Sequence, residues 1–250
     1  MAGDSSPPPP QADAAANDHG AVGRDGQPDW GQRPDIPLLG DLAAPPDRSL
    51  DTTAHDTLTH DTLTHDTLAP INFGDVPTGH PQYQEIQWVA QQSIMIGCQA
   101  TPPLFCPDAA IKRSEVAVTL VRMKHGDSFS YSSTPHFNDV PATHWAFKYV
   151  QKLYEDGVTS GYGDGSFKPD QGATRAEGAT FLMHMKHGDS FSYSSTPYAN
   201  DVPATHWAFK YVQKLYADGV TSGCGAGNYC PADPMLRKHW AVFLYRVKTL

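Results

Sequence analysis

No stretch of about 18 consecutive apolar residues occurs in this chain of 250, which excludes a membrane-spanning helix. Met1–Gly20 has neither the basic start nor the apolar run of a signal peptide. Action outside the cell would then mean that the sequence is a fragment or a mis-started reading frame, or that export follows another route. Glutamate is absent from the first 70 residues, and so is every aromatic residue except Trp30. That segment holds twelve Asp against three Arg, whereas residues 71–250 balance fifteen acids with fifteen bases. A neutral second part without a basic stripe argues against nucleic acid as a partner. With little apolar surface to offset chain entropy, residues 1–70 are expected to form a disordered, acidic, low-complexity tail. His55, His60 and His65 recur in it within HDTL at five-residue spacing, a pattern of solvated linker rather than of a defined metal site.

The rest of the chain is built by repetition. MKHGDSFSYSSTP at 123–135 returns at 185–197, and the segment 138–161 returns at 200–223 with the single change of Glu155 to Ala217. A more worn copy precedes both, because FGDVP at 73–77 matches FNDVP at 137–141. Three tandem modules are expected, at 71–126, 135–188 and 197–250. Tandem modules build a shared core and multiply one surface, whereas a catalytic site is normally assembled once.

Only four cysteines occur, and they come and go in pairs. Cys98 aligns with Tyr162 and Cys224, and Cys106 aligns with Lys168 and Cys230. Copies one and three therefore have both members and copy two has neither. Each pair closes a short loop, so two local disulfides and an oxidising compartment are expected. The competing readings are four free thiols, or zinc; each loop offers zinc only two ligands.

Within copy two, Pro141, Ala142, Thr143, His144 and Trp145 read as a helix start with Thr143 as N-cap, followed by an apolar face at Ala146, Val150 and Leu153. Gly157 supplies the stop. The Gly-rich loop from Gly161 carries one aromatic, Phe167, positioned to plug the core, with Phe105 and Tyr229 as equivalents. Thr174 and Glu177 fit a capping box, so a second helix starts at Arg175 and runs to about Lys186. Copy one has Pro81 where the others have Trp145 and Trp207, which suits a first helical position, and copy three has Leu236 to His239 in place of the box. Gly178 interrupts the second helix, at a cost of about 1 kcal/mol relative to Ala unless the gap accepts a neighbouring side chain.

Arg113, Arg175 and Arg237 occupy the first position of the second helix in all three copies, against the helix dipole. Two readings stand side by side. The guanidinium and free backbone amides form a site for an external carboxylate or phosphate, or the arginine pairs internally with an acid such as Asp139 or Asp170.

Residues 137–177 resemble an S-layer homology domain, through the Phe-x-Asp-Val start, the His-Trp-Ala segment, the Gly-Tyr-x-Asp-Gly-x-Phe-x-Pro loop and the Thr-Arg-Ala-Glu box. Copies one and three resemble the variant with a Gly-Cys…Cys-Pro loop. The resemblance implies an all-α fold, in which three helix-loop-helix modules pack as a pseudo-threefold helical prism. It also implies non-covalent anchoring of exported proteins to secondary cell-wall polysaccharide, often pyruvylated, outside the cell at its wall. By matching motif, Arg175, Asp139 and Trp145 in copy two, Asp201, Trp207 and Arg237 in copy three, and Asp75 and Arg113 in copy one are the candidate glycan residues. Only copy two has the complete box, so one or two competent grooves are expected rather than three.

Two other classes compete with anchoring. One is a self-associating module whose partners are other copies of itself in a surface layer. The other is an enzyme, or the anchor fragment of a larger exported one. Within this chain His144 and His206 sit where capping or packing is the commoner fate, and no Ser/His/Asp or paired-carboxylate arrangement stands out. No cofactor is expected, and no metal either, because Asp164 in GYGDGS lacks the further oxygen ligands that calcium needs.

Overall fold

The computed structural model describes residues 69–248. The expected disorder of residues 1–70 and the histidine tract at 55–65 thus lie, but for Ala69 and Pro70, outside the described residues. Six helices follow in order: α1 Tyr83–Gln91, α2 Arg113–His125, α3 Phe147–Glu155, α4 Arg175–His187, α5 Phe209–Ala217 and α6 Arg237–Val247. Among the described residues no β-strand forms, only isolated bridges.

Helices of nine to thirteen residues are too short to persist alone. They are held by partners in the neighbouring module: α2 packs on α3, α4 on α5, and α6 returns to α1, closing a ring of three. At its centre three backbone hydrogen bonds run head to tail, from Ile111 N–H to the Met235 carbonyl, Met235 to Ala173, and Ala173 to Ile111, each 2.8 Å long. These three side chains are buried. A single hydrophobic core follows, into which Phe105, Phe167 and Tyr229 plug from equivalent loops.

The first helices begin later than their pattern suggests. Residues 141–146 form a turn, in which the Pro141 carbonyl accepts from His144 N–H, and α3 starts only at Phe147 without a side-chain cap from Thr143. His144 takes over the capping, its Nδ1 accepting from Ala146 N–H at 3.1 Å. His206 and His80 do the same for Ala208 and Gln82. Pro81 therefore lies in this turn and not in the first helical position. Helix ends follow the sequence: Gly157 and Gly219 adopt φ of 72° and 69° just beyond the C-caps, a left-handed conformation that costs a glycine least.

A buried glutamine in each module ties down the chain that precedes the Phe-x-Asp segment. Gln151 donates to the Ser132 and Thr134 carbonyls and accepts from His136 N–H, and Gln213 repeats this with Ser194, Thr196 and Tyr198. Gln87 clasps both backbone groups of Ile71.

Candidate ligand-binding site

The three loops that follow the first helices share one construction. Asp75 accepts from the backbone N–H groups of Phe105 and Cys106, Asp139 from Phe167 and Lys168, and Asp201 from Tyr229 and Cys230, all at 2.7 to 2.8 Å. Both oxygens of each carboxylate are thus engaged inside the module. They hold Cys106, Lys168 and Cys230 at φ of 56° to 58°, a region that residues with a Cβ seldom occupy. Cys98 is bonded to Cys106 and Cys224 to Cys230, as their paired occurrence in the sequence suggests. In copy two the same two positions are closed differently, by Lys168 Nζ lying 4.0 Å from the centre of the Tyr162 ring. Asp164 spends one oxygen on Ser166 N–H and its hydroxyl. Among the described residues no group of three His, Cys, Asp or Glu side chains is placed to hold a metal ion.

The three arginines point across module boundaries. Arg113 Nε donates to the Phe167 carbonyl at 2.7 Å, Arg175 Nε to Tyr229 at 2.8 Å, and Arg237 Nε to Phe105 at 2.9 Å. Each guanidinium also faces the ring of that aromatic residue, at 4.7 to 5.0 Å. The amides at the start of each second helix are not free. Arg113 N–H and Ser114 N–H donate to the Gln171 and Pro169 carbonyls, and Arg175, Ala176, Arg237 and Lys238 repeat this with the loop of the next module around the ring. The internal acid is neither Asp139 nor Asp170. Arg113 Nη1 meets Glu177 Oε1 at 2.7 Å, and Arg237 Nη1 meets Glu115 Oε1 at 2.8 Å. Arg237 gains the Ile96 carbonyl as well.

Glu177 therefore does more than its motif announces. It closes the capping box with Thr174, neutralises Arg113 and accepts from the Tyr162 hydroxyl at 2.8 Å. Burial, opposed by Arg113 and helped by Glu177, pushes the Tyr162 hydroxyl up to about 12. Glu115 likewise returns to Lys112 N–H, but a lysine side chain has no acceptor to complete the box. Copy three has His239 at this place and no carboxylate.

Trp145 and Trp207 are 44% and 40% exposed, among the few large apolar side chains left open, with Ile96, Tyr131, Tyr193 and Tyr198. Each stacks on the preceding histidine, with ring centres 5.8 and 5.7 Å apart. His144 feels the charges of Asp170, Asp139 and Lys112, and Lys112 bridges to Asp170 at 2.9 Å between modules one and two, so Trp145 flanks that seam. Burial holds both His144 and His206 below the usual histidine range. At the opposite end of the second and third modules an open hollow is lined by Lys186, His187, Asp218 and Arg246. There Asp218 is taken by His187 and Lys214, and Arg246 by the Val220 carbonyl.

Of the candidate residues, the tryptophans present free surface, the aspartates shape the loops and the arginines span the seams. The glutamate partners of the arginines, His239 and the glutamine trio were not singled out as such. Each recurs at a fixed place in the repeat, or breaks it, which is the signal that would have found them.

The S-layer homology domain model matches residues 136–179 and 200–239, inside the second and third modules. Cell surface glycoprotein 1 of Acetivibrio thermocellus is 32% identical over 152 residues, covering 57% of this chain and 6% of that protein. The cellulosome-anchoring protein of the same organism is 34% identical over 149 residues, covering 57% of this chain and 33% of that protein. An endoglucanase of Bacillus sp. is 31% identical over 117 residues, covering 47% of this chain and 12% of the enzyme. The chain thus spans about a third or less of the relatives it matches. Motifs, helical modules and matched segments agree in identifying S-layer homology domains in the second and third modules.

Proposed function

We propose that modules 71–126, 135–188 and 197–250 together form a non-catalytic anchor that holds a larger protein to an anionic secondary cell-wall polysaccharide at the cell surface. The observation that carries this reading is the pair of exposed indoles, Trp145 and Trp207, at matching places beside module loops. The fold gives neither of them a buried role, and a flat indole face suits the C–H face of a sugar ring. The relatives support it. One is named for anchoring a cellulosome and another for the cell surface, and an endoglucanase carries a similar segment on a catalytic protein. No described helix is long and apolar enough to cross a membrane. In this reading Asp75, Asp139 and Asp201 act by fixing the loops, and Arg113, Arg175 and Arg237 by fixing the seams beside which the sugar lies. A pyruvylated polymer is the anionic ligand we favour.

Sedimentation of the chain with purified cell-wall sacculi tests this. Trp145→Ala and Trp207→Ala should each weaken binding by about tenfold, as for aromatic anchors at other interfaces, with an unchanged helical circular dichroism spectrum. Binding that stays at the unsubstituted level in the double variant removes the indoles from the site. Binding of the unsubstituted chain to no sacculus preparation overturns the anchoring reading itself.

A further inference from the structure

Two stretches of the fold play no part in the site described above. Residues 128–132 and 190–194, in the linkers between modules, run without helix, turn or bend. Alternation decides their faces. Phe129 and Tyr131 lie on α3, with ring centres 5.6 Å from Tyr149 and 6.1 Å from Phe147, while Ser128, Ser130 and Ser132 are exposed. Phe191 and Tyr193 repeat this on α5, against Tyr211 and Phe209. The ends of the first strip are fastened: Lys148 Nζ donates to the Asp127 carbonyl at 3.0 Å, and Ser132 N–H donates to Glu155 Oε1 at 2.6 Å. Between those ends, among the described residues, the backbone N–H and C=O groups of 128–131 have no partner, and neither do those of 190–193. Straight backbone left to solvent, carrying β-prone aromatic residues, has the properties of an uncovered sheet edge.

We propose that the linker at 128–132 is a self-pairing edge, through which two copies of the chain join as an antiparallel ribbon centred on Ser130. Ser128, Phe129, Ser130, Tyr131 and Ser132 read almost the same in both directions. This register therefore sets each Phe129 opposite Tyr131 of the second copy, and Ser130 opposite its own counterpart. Phe129 and Tyr131 then exchange backbone bonds about a two-fold axis, and aromatic pairs across strands are favourable neighbours. Charge fits the same register. Lys148 stands at the Asp127 end and Glu155 at the Ser132 end, so antiparallel pairing brings each Lys148 to Glu155 of the second copy. Neither is spent within the chain. The Asp127 carboxylate is answered by Arg122 at 3.0 Å, and Lys152 lies nearer Asp156, at 2.9 Å, than Glu155, at 3.8 Å.

The second linker differs at the decisive place. Ala217 stands where the first module pair has Glu155, the one change between 138–161 and 200–223. Lys210, whose Nζ donates to the Asp189 carbonyl at 3.4 Å, would face an alanine if this linker paired with itself. Such pairing lacks both charge contacts, and pairing of a first linker with a second keeps only one of them. The first linker is thus the one that pairs with itself, which closes a two-fold dimer instead of an open chain of molecules. The inference goes beyond the anchoring reading and does not depend on it.

Sedimentation equilibrium of the full chain without polysaccharide, from about 5 to about 500 μM, provides the test, a range suited to a small interface. The chain should pass from monomer to dimer and go no further. Glu155→Lys and Lys148→Glu should each dimerise about tenfold more weakly, because attractive contacts become repulsive. An equimolar mixture of these two variants should regain the dimer, since every lysine at the interface then meets a glutamate. That regain also shows that neither variant has merely unfolded. Tyr131→Pro, which removes a pairing N–H, should abolish the dimer, whereas Tyr193→Pro should leave it intact. A chain that is monomeric throughout, single variants that dimerise as well as the unsubstituted chain, or a mixture that stays monomeric overturns the proposal. Growth beyond the dimer, or loss of the dimer in Tyr193→Pro, overturns the assignment to the first linker.

Discussion

Glu177 shows how much one side chain can settle in a repeated fold. It is half-buried against Arg113, and its removal leaves a guanidinium that is 4% exposed without its counter-charge. Breaking a buried pair in this way costs about 3 to 5 kcal/mol. Glu177→Ala should therefore lower the denaturant midpoint by a corresponding amount in chemical unfolding. His239→Ala, which removes no such partner, should cost far less. Gln213 makes the same argument for a neutral group. It is fully buried and has three backbone partners, so Gln213→Leu strands those groups at a cost of about 1 to 3 kcal/mol, measurable in the same assay. Gly178 belongs at this scale too. An added Cβ would come within 2.7 Å of Met235 Cε, so the gap noticed in the sequence is filled by a side chain from the third module.

At the scale of elements, the Gly-rich loops are closed in two chemical ways. Disulfides close the loops of copies one and three over sequence separations of 8 and 6 residues, and copy two relies on the Lys168 and Tyr162 contact. In the chain-entropy account a loop of this size contributes about 2 to 3 kcal/mol. Reduction should thus lower Tm and raise amide hydrogen exchange in the first and third loops. The loop from Gly161 should exchange as before. The second helices present a related contrast. Their first amides are capped by the next module's carbonyls, so an arginine at the first position, unfavourable for an isolated helix, is accepted because its side chain is drawn across the seam.

For the whole molecule, the ring of seams makes each module depend on both others. Ending the chain after Pro234 would remove α6 and Met235, and with them the packing of α1 and two of the three central backbone bonds. The first module should then unfold although its own sequence is intact, read as lost helical ellipticity together with a shift of Trp88 fluorescence. Acid should loosen the same ring. His144, His206 and His239 lie below their unfolded value of 6.5, so the stability they lend is complete above that pH and is lost as pH falls toward their folded values. Asp156 and Asp218 resist burial through hydrogen bonds from His125 and Lys152, and from Lys214 and His187, and lie below the unfolded 3.8. Their contribution is present above that value and lost on further acidification. Tm measured against pH should fall in two steps toward acid, with no loss toward pH 8 from these groups.

Much of this was legible in the sequence because repetition exposes what a module needs locally. The Thr174 and Glu177 box, the stops at Gly157 and Gly219, the plugging aromatics Phe105, Phe167 and Tyr229, and the cysteine pairs are all short-range, and backbone propensity and capping decide them within a few residues. The turn at His144 was less legible, since its spacing is helical and only the imidazole's bond to Ala146 N–H delays the helix. The partners of the arginines were not legible at all. Arg113 lies 64 residues from Glu177, and Arg237 lies 122 from Glu115, and no local pattern selects those acids over Asp139 or Asp170. Repetition and local capping, both readable along the chain, set the repeats and the stops of their first helices. Only the tertiary ring decided which charges meet, and so which seam is left with a buried guanidinium and no acid to neutralise it.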